Sequence, residues 1–203
     1  MTKTHLTAKH TLSNTTVIAL VAVMLITSLI ESPVSAQEPL ERKSGETLKS
    51  FALRVIPKDS ELAHKVVVGT FGVSANNIVI LFVPPYRAPG PPDSNYTGWV
   101  LVPERGKAGT YRKEVLPPME EIVGAFEITV RSVFFAQADK DKELELFVLY
   151  EYYRNGSGTD YGHAVYVYDW NGASFVTMPE VGARLVGLKS APAVLRKLGT
   201  LKK

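Results

Sequence analysis

FEITVRSVFFAQADKDKELELFVLYEYYRNGSGTDYGHAVYVYDW, residues 126–170, is the stretch on which the fold turns. Phe126, Ile128, Val130 and Phe134 alternate with Glu127, Thr129, Arg131 and Val133. A period of two predicts a strand over 126–135 with one face in a core and the other largely wet. Two longer runs follow, 144–153 and 163–170, and both are rich in valine, leucine and aromatic residues that favour strands. Residues 154–160, RNGSGTD, read as a mobile glycine-rich link between them. Immediately beyond, Asn171-Gly172 is the strongest short-range hairpin signal in the chain and turns it into a strand over 174–178.

Outward from this block the same reading continues. Upstream, Phe51, Leu53 and Val55 alternate with Ala52 and Arg54, which predicts a first strand ending at Pro57. Runs 66–71 and 78–83 form a hairpin about a turn at 72–77, and runs 99–102 and 111–116 form another about 104–109. Residues 84–95 contain five prolines and are expected to be a surface loop, partly polyproline II. A short helix is expected from Pro117 to Val123. Downstream, Ser190 suits an N-cap, and Val194, Leu195, Leu198 and Leu201 fall at helical spacing, so a C-terminal helix should pack on one face of the sheet. The expected fold class is mainly β (α+β): about eight mostly antiparallel strands in a sheet or sandwich with a short C-terminal helix.

The N-terminal 36 residues have a different character. Lys3 and Lys9 precede an apolar or small run from Val17 to Ile30, and Val34-Ser35-Ala36 carries small residues where signal peptidase requires them. The run is too short for the ~20 residues that cross a bilayer, so no stable membrane insertion is expected after cleavage. Residues 1–36 are thus expected to be a signal peptide, 37–47 a flexible N-terminal tether and 48–203 a single β-rich domain. Localisation would be periplasmic or extracellular. The absence of cysteine excludes thiol catalysis and zinc–thiolate sites, and a domain of this size closes its core without disulfides. After the leader is removed 21 basic and 19 acidic side chains remain, a balance too even to favour nucleic acid.

One segment carries a mechanism. Gln137-Ala138-Asp139-Lys140-Asp141-Lys142-Glu143-Leu144-Glu145-Leu146 stands between Phe135-Ala136 and Phe147-Val148-Leu149-Tyr150. Over Phe135 to Tyr150 it resembles the calcium loops of FG-GAP and VCBS-type repeats, D-x-D-G-D-G-x-x-E/D-L between two apolar strands. The resemblance implies metal ligands at Gln137, Asp139, Asp141 and Glu145. Three positions depart from the pattern: Gln137 replaces an aspartate, and Lys140 and Lys142 replace glycines where left-handed backbone is expected. No cofactor is expected apart from a calcium ion here, with affinity in the weak extracellular class, roughly 10⁻⁴ to 10⁻³ M. The alternative is a hairpin loop kept soluble by alternating charge.

Other chemistry is poorly supplied. Of the histidines beyond the leader, His163 can be paired with Asp160 or Asp169 as a base, but no Gly-x-Ser-x-Gly elbow accompanies it. No phosphate-binding glycine loop and no clustered imidazoles occur. Tyr150, Tyr152, Tyr153, Tyr161, Tyr166, Tyr168 and Trp170 crowd two neighbouring strands, either as core packing or as a platform for a sugar or a protein. The functional expectation is an exported non-enzymatic domain that binds a protein or a cell-envelope polymer. The competing expectation is a secreted hydrolase with a structural calcium near the loop from Asp139 to Glu145.

Overall fold

The computed structural model describes residues 38–71, 74–85, 96–118, 125–156 and 158–201. Among the described residues, ten strands form two antiparallel sheets, and three helices cover their outer faces. Sheet A contains β1 (Leu40–Glu41), β6 (Thr110–Val115), β5 (Thr97–Pro103), β4 (Ser74–Val83) and β2 (Glu61–Leu62) in that order, and β3 (Val67–Phe71) also pairs with β4. Sheet B is a meander, β10 (Phe175–Thr177), β9 (Gly158–Trp170), β8 (Glu145–Gly156) and β7 (Ala125–Ala136). The helices are α1 (Leu48–Val55), α2 (Pro179–Ala183) and α3 (Ala191–Leu201).

Three cores stack through these layers. Between the sheets, Val79, Leu81, Val100 and Leu116 of the first meet Ile128, Val130, Val148 and Tyr150 of the second. On the outer face of sheet A, Phe51, Ala52 and Ile56 close over Ile78, Ile80, Phe82 and Leu101. On the outer face of sheet B, Val181, Leu185, Val194 and Leu198 close over Phe147, Leu149, Val165 and Val167. The order is therefore helix, sheet, sheet, helices. It explains why strands β4 and β8 read as continuous apolar runs: both of their faces are covered.

Four expectations are corrected. The first strand, 51–55, is the helix α1. Thr47 caps it by accepting a hydrogen bond from Ser50 N at 3.1 Å, and Phe51 and Ala52 are buried beneath it. Five apolar residues in eight satisfy both the strand and the helix period, and the cap together with the available sheet face decides for the helix. The tether of 37–47 is tied down from Leu40: β1 pairs with β6, Arg42 N bonds Gly109 O at 2.8 Å, and Glu46 holds Arg54.

Residues 154–156 and 158–160 of the expected mobile link are instead part of the ladder. Arg154 stands opposite Asp160, Asn155 opposite Thr159 and Gly156 opposite Gly158, so β8 and β9 run 12 and 13 residues. Finally, the alternation expected along β7 breaks. The register shifts between Val130 and Ser132, a bulge that inserts one residue and reverses the facing of everything after it. Val133 therefore joins Ile128 and Val130 in the inter-sheet core, while Phe134 turns to the helices.

Other elements fall as expected. The hairpins β3–β4 and β5–β6 are present, although β4 begins at Ser74 and so includes Asn76 and Asn77. Asn171 Oδ1 accepts from Ala173 N and Ser174 N, and Gly172 takes φ 95°, which shapes the β9–β10 turn. Helix α3 begins where Val194 N bonds Ser190 O. The expected short helix at 117–123 falls mostly, and the proline-rich loop at 84–95 largely, outside the described residues. Among the tyrosines, Tyr150 and Tyr168 are core, 1% and 2% exposed, and the Tyr152 ring lies across Gly162 so closely that a Cβ there would sit 2.0 Å from it.

Candidate functional site

The acidic loop joins β7 to β8 at one end of sheet B. Its conformation is written by its own aspartates: Asp139 Oδ1 accepts from Asp141 N at 2.9 Å, and Asp141 Oδ1 accepts from Glu143 N at 2.8 Å. Two consecutive Asx turns curl the chain so that carboxylates two residues apart face one centre. Gln137 Nε2 donates to the Asp141 carbonyl and straps the loop from the other side. Lys140 and Lys142 are exposed and neither has positive φ, so the lysines cause no backbone strain where the calcium-loop pattern has glycine.

Glu145 is the first residue of β8, and its side chain is fully buried. One oxygen, Oε2, accepts from Ala138 N at 2.6 Å, whereas Oε1 is buried with no hydrogen-bond partner. Burial raises its pKa to about 7. Hydrogen bonds from Ala138 N and from its own backbone oppose the shift, and the negative charges of Asp139 and Asp141 add to it. Carboxylate oxygens of Asp139, Asp141 and Glu145 lie within 4.8 Å of one another. Two oxygens bound to one calcium at 2.3–2.6 Å are separated by at most about 5 Å, so the three residues can hold a single metal ion.

The donor set suits that ion. It is all oxygen, it concentrates negative charge, and it contains one buried acceptor oxygen that no protein donor satisfies. Of the four residues singled out in the sequence, the structure brings Asp139, Asp141 and Glu145 together and engages Gln137 as a donor across the loop.

Of the two acid partners suggested for His163, the Asp160 side chain lies outside the described residues and Asp169 is out of reach. Asp169 lies six residues along β9, roughly 20 Å away at strand rise, and its Oδ1 accepts from Trp170 N. His163 instead stands opposite Glu151, whose carboxylate is paired with Arg131. This polar row and the neighbouring Tyr153–Tyr161 pair lie on the helix-side face of sheet B, the row facing the start of α3. Sequence reading missed the row because its three members come from three strands. The signal available was parity alone: Glu151 and Tyr153 share a face with Leu149, and His163 and Tyr161 share one with Val165. No protein-family model, curated protein or solved structure matches the chain.

Proposed function

We propose that this chain is an exported, non-enzymatic binding domain that acts in the periplasm or outside the cell on a protein or an envelope polymer, with calcium closing its β7–β8 loop. The observation that carries the calcium reading is the Glu145 carboxylate, which lies with those of Asp139 and Asp141 and has one buried oxygen, Oε1, without a donor. A cation supplies the missing partner and offsets the burial, and the lesser repulsion from Asp139 and Asp141, that push Glu145 toward neutrality. The resemblance to FG-GAP and VCBS-type loops points the same way through Asp139, Asp141 and Glu145. Export is supported by the leader-like residues 1–36.

A pKa near 7 is also what a general acid needs, and this favours the hydrolase reading. Burial weighs against it. A carboxyl group with no exposed surface cannot reach a substrate, so its perturbed proton affinity serves ion binding better than proton transfer.

The test begins with the N-terminus of the native protein, which should be residue 37 in an envelope or medium fraction. Calcium at 10 mM should raise the melting temperature of the wild-type chain and leave the Asp139→Ala/Asp141→Ala variant unmoved. A wild-type melting temperature indifferent to calcium and chelator removes the ion from the proposal. A native protein that begins at Met1 in the cytosol removes the export.

A further inference from the structure

The opposite end of sheet B holds a second site. Between the start of α3 and the helix-side face of β7, β8 and β9 lies a groove of about 510 Å³, lined among others by Arg131, Glu151, His163, Lys189 and Ser190. Arg131 lies on this face by its alternation with the core residue Val130, the bulge that follows keeps Ser132 beside it, and Arg131 pairs with Glu151. Both partners keep access to water, with side chains 54% and 21% exposed, so the guanidinium retains donors for a ligand. Lys189 is exposed at the mouth.

Two residues further along β8, on the same face, Tyr153 meets Tyr161 across the ladder with ring centroids 5.2 Å apart and planes tilted by 51°. Tyr161 is 62% exposed, far above the other tyrosines of these strands that pack inside the sheets. The result is a tilted aromatic pair, with Tyr161 exposed, two residues along the strands from a polar groove that carries two cations against one carboxylate.

We infer that this face binds an acidic oligosaccharide, a chain of uronic-acid type. The apolar face of one sugar ring stacks on the exposed Tyr161, with Tyr153 bracing that ring, and the carboxylate of the next is taken by Arg131 and Lys189, with His163 and Ser190 in reach of ring hydroxyls. Rigid aromatic faces with polar tips match the alternation of C–H and O–H on a pyranose. The charge of the groove selects the acidic over the neutral polymer. The inference rests on the reading of the chain as a binding domain and specifies one of its two partner classes. The site is about 26 Å along β8 from Glu145, so it works without the loop's cation.

The full chain is titrated by calorimetry with an alginate-derived hexasaccharide and with neutral cellohexaose, in chelator so that calcium cannot bridge uronates. The acidic probe should bind, and the neutral one at least ten-fold more weakly. Tyr161→Ala and the Arg131→Gln/Lys189→Ala pair should each weaken the acidic probe ten-fold or more while melting within a few degrees of the wild type. Asp139→Ala/Asp141→Ala should bind it normally. Absence of binding at millimolar probe overturns the inference, as does affinity unchanged by both groove variants or equal affinity for the neutral hexasaccharide. Capture of one envelope protein by both the wild type and Tyr161→Ala, without saccharide binding, overturns this site and leaves the binding-domain proposal standing.

Discussion

Replacing Glu145 with Gln should stabilise the protein at pH 8 in chelator and abolish its response to calcium. The Glu145 pKa is raised from 4.5 to about 7 in the folded protein. An acid whose folded pKa is raised holds its proton longer folded than unfolded. Its contribution is intact below about pH 4.5, declines as pH rises, and is lost once pH passes about 7. A shift of this size has a ceiling of about 3 kcal/mol at roughly 1.4 kcal/mol per unit. Water around the exposed rim of the loop screens part of it, which leaves about 1–2 kcal/mol. Glutamine keeps an oxygen for Ala138 N and carries no charge to bury, so it escapes the penalty. For a chain of this size about 1–2 kcal/mol corresponds to roughly 2–8 °C in melting temperature.

The assay is thermal unfolding at pH 5 and pH 8, each in chelator and in 10 mM calcium. In chelator, Glu145→Gln should exceed the wild type at pH 8, and the gap should shrink at pH 5. In calcium at pH 8 the wild type should gain about 1–3 kcal/mol if the site binds in the weak extracellular class, and the variant nothing. A variant less stable than wild type at pH 8 in chelator, or one that gains as much from calcium, refutes the assignment of Glu145 as a strained apo ligand.

Three structural predictions accompany it. Thr47→Ala should cost about 1 kcal/mol in urea unfolding, because it strips the cap from α1; no cost would argue for the strand that the alternation suggests. Leu185→Ala, at a side chain with no exposed surface in the turn just after α2, should cost about 2–5 kcal/mol, and a loss below 1 kcal/mol would mean that this segment does not seal the face of sheet B. Gly162→Ala places a methyl group against the Tyr152 ring and should cost about 1–3 kcal/mol, with Tyr152→Ala/Gly162→Ala recovering part of it in a double-mutant cycle.

The amino-acid sequence alone determined the features that depend on neighbours along the chain. The Asn171-Gly172 turn, the strands that flank it, the C-terminal helix and the acidic loop all follow from local periodicity and turn chemistry, which are properties of a few consecutive residues. What lay across the fold was not legible there. Phe51, Leu53 and Val55 alternate like a strand, yet residues 48–55 form a helix because Thr47 caps them and sheet A offers an apolar face to cover. The bulge at Arg131 has no marker in the residue pattern, because a bulge exists only in the register between two strands. It nevertheless decides which side chains of β7 are core and which reach the groove. The same holds for the site. Parity along β8 places Glu145 on the helix-side face, but only packing from several elements buries its carboxylate and leaves one oxygen without a donor, and that requires tertiary structure.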